Sequence, residues 1–258
     1  MMKLKIKYLV RGFMALFFNP RSLYLKLKAL PHFLSNISKY IKLNDTQKFK
    51  VDFFRLFFYT VDKFSESGNI NHHYFHQDLW MAKKIYNSKQ TTHYDVGSRI
   101  DGFVAHLLTF CKVNYVDIRP LNSKIENLNF IQGSILNLPF ETESIESLSC
   151  LHVIEHIGLG RYGDPIDPLG HIKSAEELIR VLKPGGILYF STPIGKEFLH
   201  FDAHRVFSIQ TIKTMFHSLE MIEFAYLNDK SEEVLSEFVD SEINNLEYGC
   251  GLFLFKKQ

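Results

Sequence analysis

The chain is 258 residues long, 46% hydrophobic and 22% charged, with a formal net charge of +2. This is an ordinary soluble globular composition with sequence enough for one large domain plus an extension, and the net charge is too small to imply a nucleic-acid partner. No run reaches the roughly 18 apolar residues that span a bilayer, and three cysteines without a CxxC pair (Cys111, Cys150, Cys250) point to buried free thiols in a reducing cytoplasm.

Charge is unevenly spread, because residues 1–44 carry nine Lys or Arg and no Asp or Glu. The run Phe13–Phe18 is short and no small-residue cleavage site follows it, so a cytoplasmic address is expected, extending to the inner membrane surface. Apolar residues recur at helical spacing in Tyr8–Phe18, Leu23–Leu34, Phe49–Phe58 and Tyr74–Ile85, with breaks near Pro20, Pro31, Asn44 and Gly68. Residues 1–90 therefore read as a basic, aromatic helical extension. Its first helix has two readings: Phe13, Leu16 and Phe17 lie on an anionic membrane surface, or they cover one end of the main domain. The segment Tyr74–Ala82 leads into the main domain, residues 91–258, and can roof its site.

From Thr91 short apolar runs alternate with helical patterns. Strands are predicted at His93–Val96, Val113–Val116, Leu128–Ile131, Ile145–Leu151, Gly186–Ser191, Glu220–Tyr226 and Leu252–Phe255. Helices are predicted at Asp101–Phe110, Ser174–Leu182 and Ser208–Phe216, the second opened by a capping box from Ser174 to Glu177. The alternation predicts an α/β fold with a mostly parallel, doubly wound sheet.

Two features suggest an adenosine-binding site. At the first strand-to-helix turn, Asp95, Gly97, Ser98 and Gly102 offer a close backbone approach and the N–H groups of a helix start. Asp117 ends the next strand, where an acidic residue can accept both ribose hydroxyls.

Five blocks then occur in order: Asp95-Val96-Gly97, Tyr115-Val116-Asp117, Gln132 to Phe140, Cys150 to His156, and Leu182 to Leu188 with its Pro184-Gly185-Gly186. Over about 130 residues this series resembles the class I S-adenosylmethionine-dependent methyltransferases, particularly the ubiquinone-biosynthesis type. The resemblance implies a Rossmann-like seven-stranded methyltransferase sheet with a reversed final hairpin, here with an N-terminal helical extension. It implies S-adenosylmethionine as cofactor, its methionine part facing Gly97, its ribose on Asp117 and its adenine beside Ser134 and Ile135; Ile118 and Leu151 complete the expected binding set. Arg99 stands where the family has a small residue, and Ser134 where it often has Asp. The Asp-or-Asn-Pro-Pro-Tyr signature of many amino-group methyltransferases is missing after the fourth strand, which favours an oxygen acceptor.

His152, Glu155 and His156 spell HxxEH, a zinc-peptidase pattern that needs a long helix which the neighbouring glycines deny. Relatives with ExxEH at this place hold magnesium. A divalent metal on His152, Glu155, His156 and His204 is therefore one reading, and a metal-free active-site turn is the other. In the metal-free reading His156 is the first choice of general base, with Glu155, His152, Asp164 and His204 behind it. The Gly- and Pro-rich insertion Gly158–His171 reads as a functional lid in which Arg161 can hold an anionic acceptor.

The expected function is methyl transfer from S-adenosylmethionine to an oxygen of a small molecule or surface-glycan precursor, with a small-molecule or saccharide acceptor as partner and peripheral membrane contact through residues 1–44. The alternatives are a degenerate methyltransferase fold serving as a cofactor-binding or membrane-associated scaffold and, third, a nucleic-acid methyltransferase.

Overall fold

The computed structural model describes residues 20–44, 48–57, 72–230, 233–236 and 240–258. The chain divides into two units, 1–70 and 71–258. The predicted helix Tyr8–Phe18 lies outside the described residues.

In the first unit, helix α1 (Pro20–Leu43) runs straight through Pro31, where the sequence suggested a break. The predicted helix from Phe49 forms only a short 3-10 turn, Phe53–Arg55, whose start is capped when Asp52 accepts from the Phe54 amide at 2.9 Å. None of the described helices is long and apolar enough to cross a membrane.

The second unit opens with helix α2 (His72–Asn87), which sequence grouping had placed with the extension. Its Met81, Ala82 and Ile85 join a hydrophobic cluster with Phe103, Leu107, Val113 and Leu252 on one side of a seven-stranded sheet. The strands are β1 (Thr92–Val96), β2 (Lys112–Asp117), β3 (Leu128–Gln132), β4 (Ile145–Leu151), β5 (Leu182–Ile194), β8 (Leu219–Leu227) and β9 (Gly249–Lys257). Their order is β3-β2-β1-β4-β5-β9-β8. All pairs from β3 to β5 are parallel, and β9 runs antiparallel to both β5 and β8. A two-stranded ribbon, β6 (Phe198–His200) with β7 (His204–Val206), stands apart.

Each predicted strand is present, and the near-continuous burial of β4, β5 and β9 is what a sheet covered on both faces demands. Between β1 and β4 the buried polar groups are matched: the His93 ring nitrogens lie 2.7 Å from Ser147 Oγ and 2.8 Å from Ser149 Oγ. Burial lowers the His93 pKa to about 3, so this ring stays neutral in the folded protein.

The helices depart more from expectation. The segment predicted as Asp101–Phe110 starts with a wide turn, Ile100–Val104, in which the Val104 amide donates to the Arg99 carbonyl five residues back, and then makes one α-turn, α3 (Ala105–Leu107). Helix α4 spans Gly170–Val181, so Ser174 lies one turn inside it and no capping box forms. Instead Ser174 Oγ donates to the Gly170 carbonyl, and Glu177 accepts from the Leu138 amide and from Arg180. Helix α5 (Ile209–Met215) is capped as its sequence suggests, Ser208 Oγ accepting from the Thr211 amide.

Candidate active site

The chain leaves β1 on one side to build β2 and β3, then returns to pair β4 on the other. In an open α/β sheet, connections that diverge from such a point leave a crevice at the carboxyl ends of the strands. A cleft of about 850 Å³ occupies this position, with Gly97, Asp117, His152, Glu155, Arg161 and Tyr248 in its wall. A narrower recess shares Gly97 and Asp117 with it and is closed by Val116, Ile118, Ser134 and Ile135.

The turn after β1 is made by backbone. Gly97 has φ +72°, a left-handed conformation, and a Cβ there would sit 3.2 Å from both Val153 methyl groups. Asp95 is fully buried behind it and accepts from the Ser98 amide at 3.0 Å, from Ser98 Oγ at 2.6 Å and from Ser149 Oγ. Burial raises its pKa to about 6 despite these bonds. Ser98 Oγ also accepts from the Leu151 amide at 3.1 Å, tying the ends of β1 and β4 together. Gly102, expected to bind cofactor, sits outside the cleft wall against the Asp78 carboxylate of α2, which would have to swing aside for a Cβ.

At the end of β2, Asp117 is more heavily engaged than its sequence context suggests. Its Oδ1 accepts from the Arg119 amide at 2.8 Å and from Arg119 Nε at 3.0 Å, and its Oδ2 accepts from Arg119 Nη2 at 2.6 Å. The Tyr115 hydroxyl lies 2.9 Å from Oδ2 and 3.0 Å from the Ser98 carbonyl. Burial works against ionisation, but the bonds from Arg119 outweigh it and hold the Asp117 pKa below the usual range. Arg119 in turn lies 4.8 Å over the Tyr162 ring.

The turn after β4 is made by side chains. His152 adopts φ 54°, a conformation that costs an L-residue roughly 1–2 kcal/mol. Its Nδ1 is 3.0 Å from Glu155 Oε1 and its Nε2 3.3 Å from Cys250 Sγ. Burial alone would lower its pKa, but contact with Cys250 and the Glu155 carboxylate keeps it well above the ordinary histidine value. The Glu155 pKa is lowered, His152 overcoming the cost of burial. His156 Nδ1 lies 2.6 Å from the Ala203 carbonyl and 3.2 Å from Arg161 Nη1, and its Nε2 lies 3.6 Å from Glu155 Oε1. Glu155 is 1% exposed, and its Oε2 has no hydrogen-bond partner among the described residues. A buried carboxylate oxygen without a donor is costly.

Above this turn the Gly158–His171 segment is laced down. Asp164 accepts from the Gly158, Tyr162 and Gly160 amides at 2.6, 3.2 and 3.3 Å, so its carboxylate organises the loop. Arg205 of β7 donates to the Ile157 carbonyl at 2.8 Å. Arg161 Nη1 donates to the Ala203 carbonyl at 2.9 Å and lies 3.2 Å from His156 Nδ1. Tyr74 of α2 faces His152 at 5.2 Å between ring centroids, and Tyr248 packs 5.1 Å from His204, so α2 and the approach to β9 both reach the cleft.

The possible metal set does not assemble: among the described residues no three His, Cys, Asp or Glu groups converge to hold an ion. The physical reason lies in the bonds above, since His152 is turned to Glu155 and Cys250, and His156 to a carbonyl. Sequence reasoning missed Arg119, Tyr115, Tyr162, Tyr248 and Cys250. Arg119 carried one weak signal, a cation two residues beyond the predicted ribose acid. The two distal residues reach the site only through the order of the sheet.

Among solved structures of similar shape, a candidate sarcosine dimethylglycine methyltransferase from Galdieria sulphuraria matches with TM-score 0.50 and 18% identity over 70% of this chain and 85% of its own. The 1,6-didemethyltoxoflavin-N1-methyltransferase of Burkholderia thailandensis, solved with 1,6-didemethyltoxoflavin and S-adenosylhomocysteine, matches with TM-score 0.50 and 11% identity over 71% and 80%. The 4+2 cyclase SpnF matches with TM-score 0.50 and 10% identity over 70% and 81%. No curated protein matches the sequence significantly. The strand order, the reversed β9 and these likenesses define the class I S-adenosylmethionine-dependent methyltransferase fold. Within that fold the chain belongs to the DUF268 family, described as "Caenorhabditis protein of unknown function", whose sequence model matches residues 117–253.

Proposed function

We propose that this chain transfers a methyl group from S-adenosylmethionine to an oxygen of a small polyhydroxylated acceptor, of the saccharide or surface-glycan-precursor class. The carrying observation is His156, which lines both the cleft and the recess that holds Gly97 and Asp117, with its Nε2 3.6 Å from the buried Glu155 carboxylate. A hydroxyl acceptor suits this wall, giving its proton to His156 as the methyl group is transferred.

The residues present fit the cofactor. The recess behind Asp117 offers Ile118 and Ile135 to a purine, Asp117 can accept from ribose hydroxyls where the Arg119 side chain gives way, and Gly97 lets the backbone approach the remainder. When bound, S-adenosylmethionine supplies an electrophilic methyl carbon on a sulfonium leaving group. The chain's part is to hold the acceptor oxygen about 3–3.5 Å from that carbon, in line with the breaking bond, and to take its proton. His152 has both ring nitrogens engaged, so it serves as the fixed cation that orients Glu155. His156, in the wall of both cleft and recess, is the base. Arg161 at the rim suits an anionic substituent such as a sugar acid or phosphate.

The test is calorimetric binding of S-adenosylmethionine and S-adenosylhomocysteine to wild type and Asp117→Ala, followed by labelled methyl transfer to hydroxylated acceptors. Charge-assisted hydrogen bonds of about 1.5–3 kcal/mol imply a loss of roughly 10- to 100-fold in the variant. Absence of binding in wild type would refute the cofactor assignment; binding with transfer only to amines would refute the oxygen acceptor.

A further inference from the structure

Helix α1 is not built like an ordinary surface helix. Leu27, Leu30, Leu34 and Ile41 follow one another at intervals of three, four and seven, which sets them in one stripe along the helix. A stripe with this spacing normally faces a core. Here Leu27 is 61% exposed and Leu34 56%, Leu30 and Ile41 are also exposed, and Ala29 is the one buried hydrophobic residue of α1 among those described. The polar side of the helix carries Lys28, Lys39 and Lys42, Lys26 borders the stripe, and α1 holds no acidic residue. The segment that follows repeats the theme, with Phe49, Phe53 and Phe54 exposed, Phe54 completely.

We propose that α1 and the Phe49–Phe54 segment form a docking surface for an anionic lipid bilayer, the helix lying in the plane of the headgroups. The apolar stripe enters the acyl boundary, the lysines meet lipid phosphates, and bulky aromatic side chains suit the interfacial layer. A second copy of α1 is the rival occupant, because intervals of three and four also suit a coiled coil. Against it, the stripe covers only two heptads, and the flanking charges are all lysines with no acid to pair across a dimer seam. An aqueous anion or nucleic acid would use the lysines and leave the leucines and phenylalanines in water.

The experiment is co-sedimentation of the full chain with phosphatidylcholine vesicles, with and without phosphatidylglycerol, at low and high salt. Partitioning should rise roughly tenfold with the anionic lipid and fall back in high salt, as screened surface charges require. The double variant Leu27→Asp/Leu34→Asp should lose binding to both vesicle types, whereas Lys39→Glu/Lys42→Glu should lose only the anionic preference. Far-ultraviolet circular dichroism of each full-length variant reports whether the helical content is retained, since both pairs lie in α1. Equal partitioning onto neutral and anionic vesicles, or none in a folded wild-type chain, overturns the proposal. A self-association abolished by Leu34→Asp, without vesicle binding, replaces it with the dimer.

Discussion

The turns after β1 and β4 stand side by side at the switch point of the sheet, and both pass through left-handed backbone. The first uses Gly97 at φ +72° and the second His152 at φ 54°. At Gly97 the chain needs space: a Cβ would press on both Val153 methyl groups. At His152 it needs a side chain enough to accept the strain, because the imidazole fixes Glu155 and meets Cys250. A glycine in this conformation indicates close approach; a histidine in it indicates that the group it carries cannot be spared.

The two turns share a base, and the largest expected effect comes from breaking it. His93 joins β1 to Ser147 and Ser149 of β4 as a neutral ring. Its folded pKa is depressed to about 3, so its contribution is complete above the ordinary histidine pKa and is lost as pH falls towards 3. The window corresponds to about 3–5 kcal/mol. Denaturant titrations at several pH values should show that His93→Gln flattens the slope of stability against pH by up to one proton in this range. An unchanged slope would mean that the ring is not held neutral.

Next in size is the contrast between the turns. Gly97→Ala should cost about 2–3 kcal/mol, left-handed strain plus the Val153 contact, and should weaken S-adenosylhomocysteine binding. At the other turn the order reverses: His152→Ala and His152→Gly both lose the imidazole, but the glycine variant should be more stable by about 1 kcal/mol. If alanine is the more stable, His152 is not strained in solution. The smallest effect concerns Arg119, which occupies three of the lone-pair positions that ribose hydroxyls would use on Asp117. Its amide stays whatever the side chain, so Arg119→Ala frees two of them, and cofactor affinity should rise a few-fold by calorimetry. A fall would mean that the guanidinium itself contacts the cofactor.

The sheet was largely legible in the sequence because each strand is a short apolar run bounded by Gly, Pro or polar residues. The turn bearing Gly97 and the acid at Asp117 were legible for the same local reason. What escaped was set by longer-range packing. Ser174 and Glu177 have capping-box spacing, yet α4 starts four residues earlier because Gly170 fits against Gly158 where a side chain could not. Pro31 does not break α1, since a proline within a helix costs stability without dictating a stop. His152, Glu155 and His156 look like ligands in one dimension; in three, Cys250 and the Ala203 carbonyl claim the imidazoles. Neither partner is near them in sequence.

The position of β9 has a consequence for how the protein must be made. This strand, near the end of the sequence, lies between β5 and β8, so neither of those strands has its full complement of partners until residue 257 has been synthesised. Until then a nascent chain exposes two long apolar edges, each a template for unwanted pairing with another chain. The same late strand brings Cys250 to His152, so assembly of the cleft and closure of the sheet are one event, completed after translation has passed nearly the whole domain.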